Sequence, residues 1–302
     1  MNSIYASFTP DRLAAGRPRM ALSFVLPVAL MLLTGSAFAQ IDPNSPATNW
    51  VSILYGNNNY PDPSADQQTG STESDIVGNA SAPSLYMQFN SGYLGFRFRV
   101  GADASPPGFK GAAFVGLDAN RDGALDLFIG VDNSGSQDQI GLWNPGTGLN
   151  ISPSTTTIAN TAFITYTETA QNYAFAPVTA VNDPGVTSFD LNGDGKTDQF
   201  LSFFVLFSDI SSALAANNIA FDANTPMQLV AATATQANSL NEDLNGVTGA
   251  VNSSQTWSQL GASSQTYSAT SIEPVPEPSA TALGCLACVT FGFWRWNRRS
   301  RA

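Results

Sequence analysis

The chain is dominated by short stretches in which apolar and polar residues alternate with a period of two, and it shows little of the 3.6-residue period of a helix. Leu94, Phe96, Phe98 and Val100 fall on one side, with Tyr93, Gly95, Arg97 and Arg99 on the other. Leu125, Leu127, Ile129 and Val131 alternate likewise against Asp126, Phe128, Gly130 and Asp132. Successive side chains of a strand point to opposite faces, so both stretches are predicted as half-buried strands of an antiparallel sheet. Further strands are expected at Ser84 to Phe89, Gly111 to Leu117, Thr161 to Thr167 and Met227 to Thr233, with one more within Trp50 to Tyr55. The run Phe200 to Phe207 is apolar on both faces, as a central strand covered on two sides should be. Short helices are expected at Asp209 to Ala216, capped by Ser208 or Asp209, and near Gln236 to Leu244. Many short strands and frequent Gly and Asn turns predict an all-β fold, an antiparallel β-sandwich of jelly-roll type with one or two short helices.

Composition narrows the chemistry. Hydrophobic residues make up 43% of the 302, enough for a core, and histidine is absent. That absence removes Ser-His-Asp and Cys-His nucleophile activation, histidine-ligated zinc and haem, and the usual proton shuttle near neutral pH. Cys285 and Cys288 both lie in an apolar stretch near the C-terminus, where a pair of small residues on a membrane helix explains them better than redox or metal chemistry. Residues 40–278 hold all of the 23 acidic residues except Asp11, against only Arg97, Arg99, Lys110, Arg121 and Lys196. So acidic a body disfavours a nucleic-acid partner and favours divalent cations.

One acidic frame occurs twice. Asp118-Ala119-Asn120-Arg121-Asp122-Gly123-Ala124-Leu125-Asp126 and Asp190-Leu191-Asn192-Gly193-Asp194-Gly195-Lys196-Thr197-Asp198 share D-x-N-x-D-G-x-x-D. Calcium takes six to eight oxygen ligands, and a tight loop presenting alternate side chains inward supplies them. Side chains would come from Asp118, Asn120, Asp122 and Asp126 in the first loop and from Asp190, Asn192, Asp194 and Asp198 in the second. The backbone carbonyls of Ala124 and Lys196 would fill the seventh position. The frame resembles the first nine positions of EF-hand and dockerin loops. Position 12 is Ile129 or Leu201 instead of the bidentate Glu, and each lies in an expected strand, so a strand-loop-strand site is expected in place of a helical hand. A remaining ligand would come from Asp132, Asp183 or water, and affinity should be about 10⁻⁴ to 10⁻³ M. Asn, Asp and Gly also favour plain turns, but three carboxylates within nine residues repel each other in a way that a turn does not require.

Both ends carry addressing signals. Arg12, Arg17 and Arg19, the apolar run Ala21 to Leu33 and the triplet Ala37-Phe38-Ala39 predict a signal peptide over residues 1–39, cleaved after Ala39. At the other end Val275-Pro276-Glu277-Pro278-Ser279 precedes an apolar stretch through Trp294, which spans about 24 Å as a helix, the short end of a membrane crossing. Arg295, Arg298, Arg299 and Arg301 follow and would hold that end in the cytoplasm. Pro-Glu-Pro, a short apolar helix and an Arg cluster in this order resemble the PEP-CTERM sorting signal of Gram-negative bacteria. The resemblance covers residues 275–302 and implies transient membrane insertion, cleavage near Pro276, Glu277 and Pro278 by an exosortase-type enzyme, and release or attachment at the cell surface. In that family the signal often accompanies exopolysaccharide and biofilm production.

The organisation expected is therefore a polar segment with one strand at 40–83, a sandwich body at 84–251 and a final strand with a linker at 252–274. No paired Glu, catalytic triad or Gly-rich phosphate loop appears. Trp143, Tyr166, Tyr173 and Trp257 would serve as sugar-stacking platforms only if exposed on one face. The expected function is a secreted, calcium-stabilised, non-catalytic surface or matrix protein. A carbohydrate-binding module and a glycan-active hydrolase or lyase are the alternatives.

Overall fold

A computed structural model describes residues 41–272 apart from 56–61, 70, 105–106 and 137. The signal peptide with its cleavage residue Ala39, and the sorting segment with Pro276, Glu277, Pro278, Arg298 and Arg299, lie outside the described residues. Among the described residues no helix is long and apolar enough to cross a membrane.

Eleven strands are described: β1 (Val51–Ser52), β2 (Leu85–Asn90), β3 (Tyr93–Val100), β4 (Ala112–Asp118), β5 (Leu127–Asp132), β6 (Gln139–Trp143), β7 (Ile164–Thr167), β8 (Tyr173–Pro177), β9 (Gln199–Leu206), β10 (Gln228–Ala234) and β11 (Asp243–Leu244). They form two antiparallel sheets, β1-β2-β3-β9-β8 and β11-β10-β4-β5-β6-β7. Leu94, Phe96, Phe98 and Val100 of β3 and Leu201, Phe203 and Val205 of β9 meet Val115, Leu117, Leu127, Ile129 and Val131 of the other sheet in one buried core. A β-sandwich is what the period-two pattern demanded.

The jelly-roll expectation needs correction. Chain neighbours β1-β2-β3, β4-β5-β6-β7 and β8-β9 pair within one sheet, and the chain crosses between sheets only after β3, β7 and β9. Hairpins that close locally demand little loop entropy, so two meanders result where a jelly roll would interleave its strands.

The strands are also buried more fully than half. Arg97 and Arg99 are 1% and 0% exposed, and every residue of β5 is buried. On the outer face of the first sheet Trp50, Tyr86, Val178, Phe200 and Phe204 pack into a second apolar layer, with the Arg97 guanidinium 4.3 Å from the Trp50 ring centre and 4.7 Å from that of Phe200. On the outer face of the other sheet Phe114, Phe128, Trp143 and Val230 are covered by Leu240, Leu244, Val251 and Trp257. Segments far away in sequence thus roof faces that alternation alone leaves to water.

Helix α1 (Phe207–Ala216) begins ahead of its expected start, with Leu206 at the N-cap and no side-chain cap. The Phe207 N–H instead donates to the Gly92 carbonyl at 2.9 Å, so a tertiary contact replaces the cap expected from Ser208 or Asp209. The helix expected near Gln236 to Leu244 is a turn followed by β11, where Asp243 and Leu244 pair with Thr233 and Ala232. The Asn241 side-chain amide oxygen accepts from the Thr235 N–H, a local bond that competes with helix formation. The final strand expected after Asn252 is instead helix α2 (Trp257–Leu260), closed by a Thr256/Gln259 capping box, followed by isolated bridges from Ser264 to Tyr55 and from Tyr267 to Met227.

Candidate functional site

The two acidic loops adopt one design. The first joins β4 to β5 and the second leads into β9. In the first, the Asp118 carboxylate accepts the N–H groups of Asp122 and Gly123 at 3.2 and 3.0 Å. In the second, Asp190 accepts those of Asp194 and Gly195 at 3.2 and 3.0 Å. The third-position amide oxygen, Asn120 or Asn192, accepts the fifth-position N–H, and the fifth-position carboxylate, Asp122 or Asp194, accepts the N–H of Ala124 or Lys196. The ninth-position carboxylate closes the ring on the second residue, Asp126 on Ala119 at 2.8 Å and Asp198 on Leu191 at 3.1 Å. Left-handed backbone recurs at the same places, Arg121 (φ +60°) and Gly123 (φ +92°) in one loop and Gly193 (φ +72°) and Gly195 (φ +81°) in the other. Arg121 occupies a conformation that costs a non-glycine residue energy, so the loop holds it there by its other bonds.

Electrostatics distinguish the loops. Burial raises the Asp118 carboxyl above its ordinary range and pushes Asp126 up to about 6, with the charges of Asp118 and Asp122 adding to the Asp126 shift. Asp198 is fully buried, and burial raises it too, against the pull of Arg99. Arg99 donates from Nε to Asp198 at 2.8 Å and from Nη1 to Asp183 at 2.7 Å. Asp183, one of the two residues named as an additional ligand, is thus brought to the second loop but engaged by the guanidinium. The other, Asp132, ends β5 at the opposite end from the first loop, where it accepts from Ser134. It is too far along the strand to complete that site.

Each loop can therefore offer two carboxylates, an amide oxygen and a carbonyl to a hard cation, and in the first the ninth residue can act through water, as loops of this type allow. In the second loop both oxygens of the ninth residue are taken, Asp198 Oδ1 by the Leu191 N–H and Oδ2 by Arg99 Nε, and its side chain is sealed from solvent, which corrects its expected place as a ligand and leaves Asp190, Asn192, Asp194 and the Lys196 carbonyl as that loop's candidates. In neither loop do three carboxylates bring an oxygen each within 4.8 Å of one another. Among the described residues that convergence occurs at Asp62, Asp66 and Asp243. At 4.8 Å each pair of unit charges repels by about 3 to 4 kcal/mol at an effective dielectric of about 20. The sequence reading missed this cluster. Asp62 and Asp66 lie in a polar loop and Asp243 in a stretch expected to be helical, so no spacing joined them.

The aromatic candidates divide. Trp143 and Trp257 are 1% and 2% exposed, packed in the outer apolar layer, which corrects the idea that they offer a sugar platform. Tyr166 is half-buried and its hydroxyl donates to Asp209. Tyr173 lines an open depression with Asn44, Glu168 and Phe175, in which Glu168 is the one carboxylate, so the paired acids of a glycosidase are not found there. Comparison with known proteins returns no matching family, no matching curated protein and no matching solved structure.

Proposed function

We propose that this chain is an exported, non-catalytic protein of the cell surface or extracellular matrix whose fold is stabilised by calcium in its two acidic loops. One observation carries the calcium reading: two loops 72 positions apart in sequence share five side-chain to backbone bonds at equivalent positions, with left-handed backbone at positions four and six of both. A turn needs no such repeated cage, whereas a hard cation needs oxygens held at fixed places. Export rests on the sequence of the two ends, including the tail that resembles a sorting signal cleaved by an exosortase-type enzyme. Association with an extracellular polysaccharide follows from that resemblance alone.

The test is the metal content and thermal unfolding of the full chain, with and without a calcium chelator. Bound calcium and a lower melting temperature in chelator are expected, with a reduced response in Asp118→Ala and Asp190→Ala. Calcium-free protein whose melting is indifferent to added calcium would overturn the reading. Binding to an immobilised polysaccharide that chelator abolishes would replace a purely structural role with carbohydrate binding.

A further inference from the structure

Asp62, Asp66 and Asp243 are held in place by the backbone on one side and left bare on the other. The Asp62 carboxylate accepts the Gly246 N–H, Asp66 accepts that of Gly249 at 3.1 Å, and Asp243 accepts that of Ile76 at 2.6 Å. The second oxygen of each, Asp62 Oδ2, Asp66 Oδ1 and Asp243 Oδ1, is buried with no hydrogen-bond partner. Asp62 and Asp243 are only 2% and 1% exposed. A buried carboxylate oxygen without a donor is costly, and three such carboxylates with an oxygen each within 4.8 Å of one another are costlier still. Among the described residues no ion pair reaches the cluster: both ion pairs belong to Arg99, and Arg97 is spent on Ser202 and the carbonyls of Pro43 and Ser45.

We propose that Asp62, Asp66 and Asp243 bind a hard divalent cation, calcium, at a buried site separate from the two acidic loops. The donors are all oxygen, with neither thiolate nor imidazole, which suits calcium and magnesium over zinc. Carboxylates that bind through one or two oxygens each, together with water, can reach the ligand number that calcium takes. The site joins the loop after β1 to the β10–β11 end of the second sheet, across 184 positions of sequence between Asp62 and Gly246. A cation there staples an N-terminal loop to the C-terminal part of the sandwich.

The alternative is that protons, not a metal, neutralise the cluster. Burial, then the charge of Asp243, raises Asp62 well above the usual carboxylate range, and burial pushes Asp243 up to about 8. The two cases separate in one experiment. The full chain carrying Asp118→Asn and Asp190→Asn, which disables both loops, is stripped with chelator and titrated with calcium by calorimetry. One remaining equivalent is expected, and adding Asp62→Asn should weaken it at least about tenfold, since affinity follows ligand charge. If Asp62→Asn fails to fold, Asp66→Asn, at a partly exposed position, takes its place. A loop-disabled chain that binds neither calcium, magnesium nor manganese, or whose binding survives loss of the cluster carboxylate, would overturn the proposal. The loop reading is scored separately, by the equivalents lost on disabling the loops alone.

Discussion

Arg99 Nε donates to Asp198 Oδ2 at 2.8 Å with both side chains sealed from solvent, so strand β3 holds the last residue of the second acidic loop by a charge pair inside the protein. A second arm of the same guanidinium holds Asp183, and its Nη2 reaches the Ser188 carbonyl at 3.1 Å. The loop before β9 is thereby fastened to the sheet at the point where its backbone cage closes.

Removing that guanidinium should be severe. Arg99→Met leaves two buried carboxylates uncompensated, and a loss of about 3 to 5 kcal/mol is expected in urea unfolding. Adding Asp183→Asn and Asp198→Asn should recover much of it. If the triple variant is as unstable as Arg99→Met alone, the ion pairs do not account for the loss.

Gly130 faces the outer layer of the second sheet with no room for a methyl group. A Cβ there would sit 2.2 Å from the Ala113 carbonyl oxygen and 2.5 Å from Phe114 Cδ1. Because backbone is in the way, Gly130→Ala should cost about 1 to 3 kcal/mol or more, read as a lowered melting temperature. Gly135→Ala is a control in open space, where only the left-handed backbone opposes the change.

Trp257 is structural by its packing. Its indole N–H donates to the Asn150 carbonyl at 2.8 Å, and its ring closes the layer over Phe114 and Trp143. Trp257→Ala should destabilise by about 3 to 5 kcal/mol, measured by chemical denaturation. Were Trp257→Ala as stable as the parent chain, the outer layer would not be a second core.

Glu168 should make stability depend on pH. Burial first, then the charge of Asp138, pushes its carboxyl up to about 7, opposed by a hydrogen bond from Asn133 and by Lys110. The folded protein therefore holds this proton more tightly than the unfolded chain does. The associated stability is present below the unfolded value, about 4.3, and is lost as pH rises through about 7. Glu168→Gln should flatten this part of the pH profile and make the protein relatively more stable at pH 8, which thermal unfolding across pH 4 to 8 would reveal.

How much was legible from sequence differs from element to element. The strand expected at Phe200 to Phe207 was readable because a run apolar on both faces has few other places to sit; it forms as β9, Gln199–Leu206, and is central as expected, between β3 and β8. The places of the two acidic loops between strands were readable because the bonds that close them span seven residues or fewer, whereas the capture of Asp198 by Arg99 was not. The strands β6 and β8 went unread, since Gln139–Trp143 and Tyr173–Pro177 are short and gain their order from neighbours. The fate of Trp257 was also hidden, because the same aromatic serves as a core or as a platform according to what lies across from it.

From its amino acids alone the chain was bound to form short antiparallel strands and two acidic loops, since side-chain alternation and turn chemistry act between residues a few positions apart. Tertiary structure alone decided that Arg97 and Arg99 lie inside, that Arg99 meets Asp183 and Asp198 from 84 and 99 positions away, and that Asp62, Asp66 and Asp243 converge. Burial and charge pairing are set by which distant segments cover a face. Local periodicity carries no record of that choice, because one pattern of side chains suits an open face and a roofed one alike.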